Sequence, residues 1–69
     1  MKVFIVEVVL PDSWQRIDVV CAMNIGVQKH WQTQNSGSPV AGQRQLEDPR
    51  GILTSTAVLA GYPVAEPKP

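Results

Sequence analysis

Two side chains able to carry nucleophilic chemistry occur once each, the thiol of Cys21 and the imidazole of His30. A thiolate–imidazole pair attacks an acyl carbon when a third group orients the imidazole and a cleft supplies an oxyanion hole. Local pattern gives Cys21 a plainer reading. It alternates on one face with Ile17, Val19 and Met23, and a cysteine among apolar neighbours behaves as a small hydrophobe. One Cys and one His cannot supply a four-ligand Cys/His zinc site, and one Cys closes no intramolecular disulfide. The carboxylates are Glu7, Asp12, Asp18, Glu47, Asp48 and Glu66. Glu7 and Asp18 fall where two strands pair, and two carboxylates sharing a pocket can divide acid and base roles. On a solvated sheet surface the same residues simply pair with Arg16 or Lys2. No catalytic set is complete, so the sequence reads as non-enzymatic, with no catalytic residue, metal or cofactor expected.

Residues suited to binding are more prominent. Trp14 stands in a turn between Ser13 and Gln15, where a small core has little need of an indole, and Trp is a favoured anchor of protein interfaces. Trp31, Tyr62 and Glu7 complete the candidate partner-binding set. Trp31 reads equally as a core aromatic, and Tyr62 as the residue that pins the last element. The stretch Gln28-Lys29-His30-Trp31-Gln32-Thr33-Gln34 mixes cation, imidazole, indole and amides, groups that stack on and hydrogen-bond to nucleic acid. With Arg16, Arg44 and Arg50 it defines the alternative reading, a small nucleic-acid-binding protein using Arg16, Lys29, His30, Trp31, Arg44 and Arg50. Formal net charge is zero, six Lys+Arg against six Asp+Glu. That balance removes the electrostatic attraction on which such binding usually rests. The glycines form no phosphate-binding spacing.

The elements that position these residues follow from periodicity. Residues 2–10 are β-branched, aromatic or aliphatic apart from Lys2 and Glu7. One face, Phe4-Val6-Val8-Leu10, is wholly apolar, and Val3-Ile5-Glu7-Val9 is nearly so, which marks a central or doubly covered strand. Pro11-Asp12-Ser13 is a turn signal. Residues 16–23 alternate, Ile17-Val19-Cys21-Met23 against Arg16-Asp18-Val20-Ala22. The first set reads as the core face, and the two strands form an antiparallel hairpin. From 24 to 34 the pattern admits a helix or a third strand. The helix is preferred, with Asn24 as N-cap, Val27 and Trp31 inward, and Gln28, Lys29, Gln32 and Gln34 toward solvent. Residues 35–49 read as a loop in which 43–47 can pair as a short strand. Residues 52–60 alternate Ile52-Thr54-Thr56-Val58 with Leu53-Ser55-Ala57-Leu59, and their Thr, Val and Ile favour a strand closed by Gly61. Leu53, Ala57 and Ala60 offer a short helical stripe as the other reading.

The expected fold is therefore α+β: a small antiparallel sheet, made of the N-terminal hairpin and a C-terminal strand, covered by one helix. An all-β small barrel is the alternative. Sixty-nine residues make one domain, expected over 1–62, with 63–69 as a proline-rich flexible tail whose prolines lack PxxP spacing. A domain of this size buries only about 60% of its unfolded surface, and small cores without disulfide or metal are often completed by a partner. The apolar N-terminal run is broken at Glu7 and has no small-residue cleavage site after it, so no signal peptide or membrane span is expected. The sequence points to a cytoplasmic, non-catalytic accessory, regulatory or inhibitory protein that binds a larger protein partner, or itself as a homodimer.

Overall fold

The computed structural model describes residues 1–67. Three strands and two helices follow in the order β1 (Lys2–Val9), β2 (Gln15–Ala22), α1 (Ile25–Asn35), β3 (Val40–Glu47) and α2 (Ile52–Leu59). The strands make one open antiparallel sheet, order β2-β1-β3, and no closed barrel. The fold is α+β, with the N-terminal hairpin the sequence indicates.

β1 takes the middle because it is apolar on both faces. Phe4 stands opposite Val20 and Gln45, and Ile5 opposite Val19 and Arg44. Residues opposed across a ladder share a face, so the register defines two layers. On the Phe4 face, Phe4, Val6, Val8, Val20 and Ala22 form the main core with Ala65, and Val27 and Trp31 of α1 pack on it. On the Ile5 face a smaller cluster joins Val3, Cys21 and Ala57, with Val19 and Leu46 against it. β2 therefore contributes to the main core through Val20 and Ala22, the face that also carries Arg16 and Asp18. The Ile17-Val19-Cys21-Met23 face, expected as core, is buried only at Cys21, while Ile17 and Met23 are exposed. The inversion follows from register: Phe4 selects Val20, and the larger apolar set on β1 decides which face of β2 is covered.

The hairpin closes through three residues. Leu10 N donates to Trp14 O at 2.8 Å and Ser13 N to Leu10 O at 3.1 Å, with Ser13 at φ 68°. This is the three-residue loop with a left-handed last position. α1 starts where Asn24 caps it, the side-chain oxygen accepting from Val27 N at 2.9 Å. Since β2 and β3 both oppose β1, α1 is a crossover between parallel strands and lies on the Phe4 face.

Two sequence expectations need correction. Residues 52–60, expected as the C-terminal strand, contain helix α2, and the third strand is β3, within a segment read mainly as loop. The helix wins because its first turn is capped from outside: Asp48 accepts from Leu53 N (3.1 Å) and Thr54 N (2.7 Å). Helix formation also lets the small Ala57 seat on Val3 and Cys21. The helix ends in a Schellman motif, with Tyr62 N donating to Ala57 O and Gly61 N to Val58 O, both at 3.0 Å, and Gly61 at φ 93°. β3 is hard to read from sequence because only Leu46 packs against a core cluster and the rest of the strand, apart from half-buried Gly42, is exposed. Its glutamines have weak strand preference, and the β1 ladder holds it in place. Residues 63–65, expected to begin a flexible tail, lie along β2: Cys21 N donates to Pro63 O (3.0 Å), Ala65 N donates to Cys21 O (2.7 Å), and Ala65 is buried. The last part of that expected tail, 68–69, lies outside the described residues.

Two backbone positions carry opposite expectations. Gly61→Ala should lower stability by about 1 kcal/mol, because alanine must adopt the left-handed region. Ser13→Gly should be neutral or raise it by up to about 1 kcal/mol, since it relieves the same strain. Urea midpoints of the two variants against wild type check both signs.

Candidate functional site

The sheet is covered unequally. α1 packs over β2 and β1 on the Phe4 face and leaves the β3 side open. Between them runs a groove of about 610 Å3, lined by Gln28, Lys29, Gln32 and Thr33 of α1, by 37–39, and by 40–43 of β3. Gln28 and Gln32, expected in solvent, are buried. Val27 and Trp31 turn to the core, and their chain neighbours Gln28 and Gln32, themselves i and i+4, are carried to the flank of the same stripe. Gln32 Nε2 donates to Asp18 Oδ2 at 2.8 Å. Gln32 Oε1 and both polar atoms of Gln28 have no partner among the described residues. Orphaned buried amide groups cost about 1–3 kcal/mol each, so this wall of the groove is polar and unsatisfied. The sequence signal was the i, i+4 glutamine pair beside the i, i+4 apolar pair.

The opposite face is barer. α2 covers only the Val3–Cys21 end. Glu7 and Ile17, opposed in the ladder, are both exposed, Ile17 by 56%. Ile5, Val9 and Val19 are half-buried. α2 leaves Ile52, Leu53, Val58 and Leu59 in solvent, Leu59 at 89%. Trp14, 68% exposed in the hairpin loop, pairs with Leu10 and so alternates onto the Phe4 side rather than this one.

Of the candidate partner-binding residues, Trp14, Glu7 and Tyr62 are exposed and Trp31 packs inward on the main core. The residues of the nucleic-acid reading do not share one surface. Arg16 belongs to the Phe4 face and is engaged there, Nε donating to Asp18 Oδ1 at 2.8 Å and Nη2 to Ser36 Oγ at 3.3 Å. Lys29, His30 and Trp31 lie on α1 over that face. Arg44, opposite Ile5, belongs to the other face, and Arg50 lies in the turn before α2. Cys21 and His30 are likewise not brought together: the thiol lies in the Val3–Ala57 cluster, and the sheet stands between it and α1. Glu7 and Asp18 also diverge, since Glu7 opposes Ile17 while Asp18 opposes Val6.

The electrostatics describe structural rather than reactive groups. The hydrogen bond from Arg16 holds the Asp18 carboxyl below its ordinary range, against the opposing effect of burial, and the Gln32 amide and the Arg16 charge assist. Asp48 is held low by the adjoining Thr54 hydroxyl first, against burial, and then by the Thr54 and Leu53 amides. That hydroxyl lies beside Asp48 and Cys21 but in good hydrogen-bond alignment with neither. Burial pushes the Cys21 thiol up, which disfavours the thiolate. Among the described residues no cluster of three His, Cys, Asp or Glu could hold a metal, and no helix is long and apolar enough to cross a membrane.

Set beside known proteins, the chain matches no family model, no curated protein and no solved structure.

Two expected outcomes follow from these groups. Asp18 and Asp48 titrate lower when folded than when unfolded. Their contribution is complete above the unfolded carboxylate value of about 3.9 and is lost as pH falls through their lower folded values. Asp18→Asn and Asp48→Asn should each lower Tm at pH 7 and flatten its fall on acidification, read from melting curves between neutral and acid pH. Iodoacetamide should label Cys21 in the native protein only as fast as the chain opens, so that labelling accelerates in proportion to the unfolded fraction in urea.

Proposed function

We propose that the chain is a non-catalytic protein-binding module, a small accessory, regulatory or inhibitory protein of the cytoplasm that docks on a larger protein partner. The observation that carries this reading is the uncovered apolar sheet face. Ile17 is exposed on it beside Glu7; Ile5, Val9 and Val19 are only half-buried, and α2 shields one end only. A domain with so thin a core gains most by covering such a face. Trp14, exposed at the hairpin tip and alternating onto the Phe4 side with Leu10 and Arg16, is a second aromatic anchor beside this face rather than on it. Glu7, between Ile17 and Gly42 in the ladder, supplies a polar contact that fixes orientation. Scattered cations and zero net charge give no comparable support to the nucleic-acid alternative.

The test is affinity capture by tagged protein from its source lysate, with nuclease and moderate salt. Wild type should retain one protein at stoichiometric level. Ile17→Asp and Trp14→Ala should each reduce that retention at least tenfold, because both remove exposed apolar contacts, with melting temperatures unchanged. No retained protein, or retention indifferent to both variants, overturns the reading. Recovery that disappears with nuclease transfers it to the nucleic-acid alternative.

A further inference from the structure

The two edges of the sheet differ. On the β2 edge, Cys21 spends its N–H and C=O outward on Pro63 and Ala65. The Val3–Cys21 pair is therefore of the non-hydrogen-bonded kind, and Val3 turns its backbone groups to β3. By alternation Leu46 and Arg44 bond to β1, while Gln43 and Gln45 direct theirs out of the sheet. The bond from Val9 N to Pro39 O at 2.9 Å has the same phase. The β3 edge carries no partner among the described residues. It borders the groove whose α1 wall holds the unpartnered amide of Gln28 and the free oxygen of Gln32.

From this edge and this groove we infer that β3 pairs antiparallel with β3 of a second copy, which joins two sheets into one of six strands and extends the floor of both grooves with the second copy's β3. Side-chain alternation requires like faces to oppose, so the two-fold axis passes through a residue position. An axis at Arg44 sets two guanidinium groups against each other. One at Gln43 runs the pairing into the irregular start of β3, where the β1 register shifts between Glu7 and Val8. Placed at Gln45, the axis sets Arg44 opposite Leu46 and Gln43 opposite Glu47. Glu47 shares the face of Lys2 and therefore of the groove. Its side chain is 68% exposed, and within its own chain Oε1 accepts from Gln45 Nε2 at 3.1 Å and makes a loose 3.9 Å pair with Lys2, which leaves Oε2 free of both. Gln43 lines the groove together with Lys29, and Lys29 makes no ion pair among the described residues. The second copy thus brings Glu47 to Lys29, twice by symmetry, and adds its Gln45 and Glu47 oxygens and amide beside the wall carrying Gln28 and Gln32. The occupant is self-complementary in charge and in backbone hydrogen bonding. The inference is independent of the protein-docking face, which lies on the other side of the sheet.

Sedimentation equilibrium of the whole chain, from micromolar to near-millimolar concentration, tests it. Wild type should be a dimer whose dissociation is promoted by salt. Gln45→Pro removes an N–H that the monomer's ladder does not use and blocks pairing at the two-fold, so it should be monomeric with an unchanged circular dichroism spectrum. Lys29→Glu and Glu47→Lys should each weaken the dimer about tenfold, since each loses two ion pairs. The double variant Lys29→Glu/Glu47→Lys should recover most of that loss, a result independent of how well the proline variant folds. A monomer at all concentrations overturns the inference. So does a dimer indifferent to Gln45→Pro, or charge variants that the double swap fails to rescue. A dimer dissolved by Ile17→Asp instead would place the second copy on the opposite face.

Discussion

Everything in the molecule is arranged around a strand that is apolar on both sides. β1 runs from Lys2 to Val9, with Phe4, Val6 and Val8 on one face and Val3, Ile5 and Val9 on the other. Such a strand is stable only between two neighbours that complete its ladder and two layers that cover its faces. A chain of 69 residues has material for the first requirement and for only part of the second. β2 and β3 complete the ladder on either side. α1 supplies a full layer on the Phe4 face through Val27 and Trp31, whereas α2 touches the Ile5 face through little more than Ala57.

Unequal covering leaves apolar surface that the chain's own elements do not reach. The apolar residues left in the open are part of β1's second face, Ile17 opposite it on β2, and Ile52, Leu53, Val58 and Leu59 on the outer side of α2. They lie on regular elements and are held in place by the ladder and the helix.

The buried polar groups divide into those that complete the fold and those that do not. Asp48 is consumed in capping α2, and Asp18 in tying Arg16 of β2 to Gln32 of α1. Both tie sequence-distant or separate elements together. Gln28 makes no such link. Its position follows from the helix period, which cannot bring Val27 and Trp31 inward without turning their neighbours toward the groove. The cost persists because β3, short of apolar side chains, gives α1 no reason to cross over and close that gap.

What the sequence determined by itself was local or strongly periodic. The two-faced apolar run made β1 a central strand, Pro11-Asp12-Ser13 made the hairpin turn, and Asn24 ahead of Val27 and Trp31 made α1. Each of these is settled within one or two turns of chain. Tertiary structure decided whatever depended on a partner distant in sequence. Val20 rather than Cys21 joined the main core because Phe4 stands opposite it, and β3 became a strand because β1 had a free edge. Residues 52–59 wound into a helix, against their β-branched composition, because Asp48 caps the first turn and Ala57 fits where a strand would have left Val3 and Cys21 uncovered. The candidate surfaces divide along the same line. The exposure of Trp14 was legible from its place in a turn, whereas the groove, its buried glutamines and the bare second face exist only once register and crossover are fixed. Propensity is a matter of a few tenths of a kcal/mol per residue, and burial against a distant neighbour outweighs it.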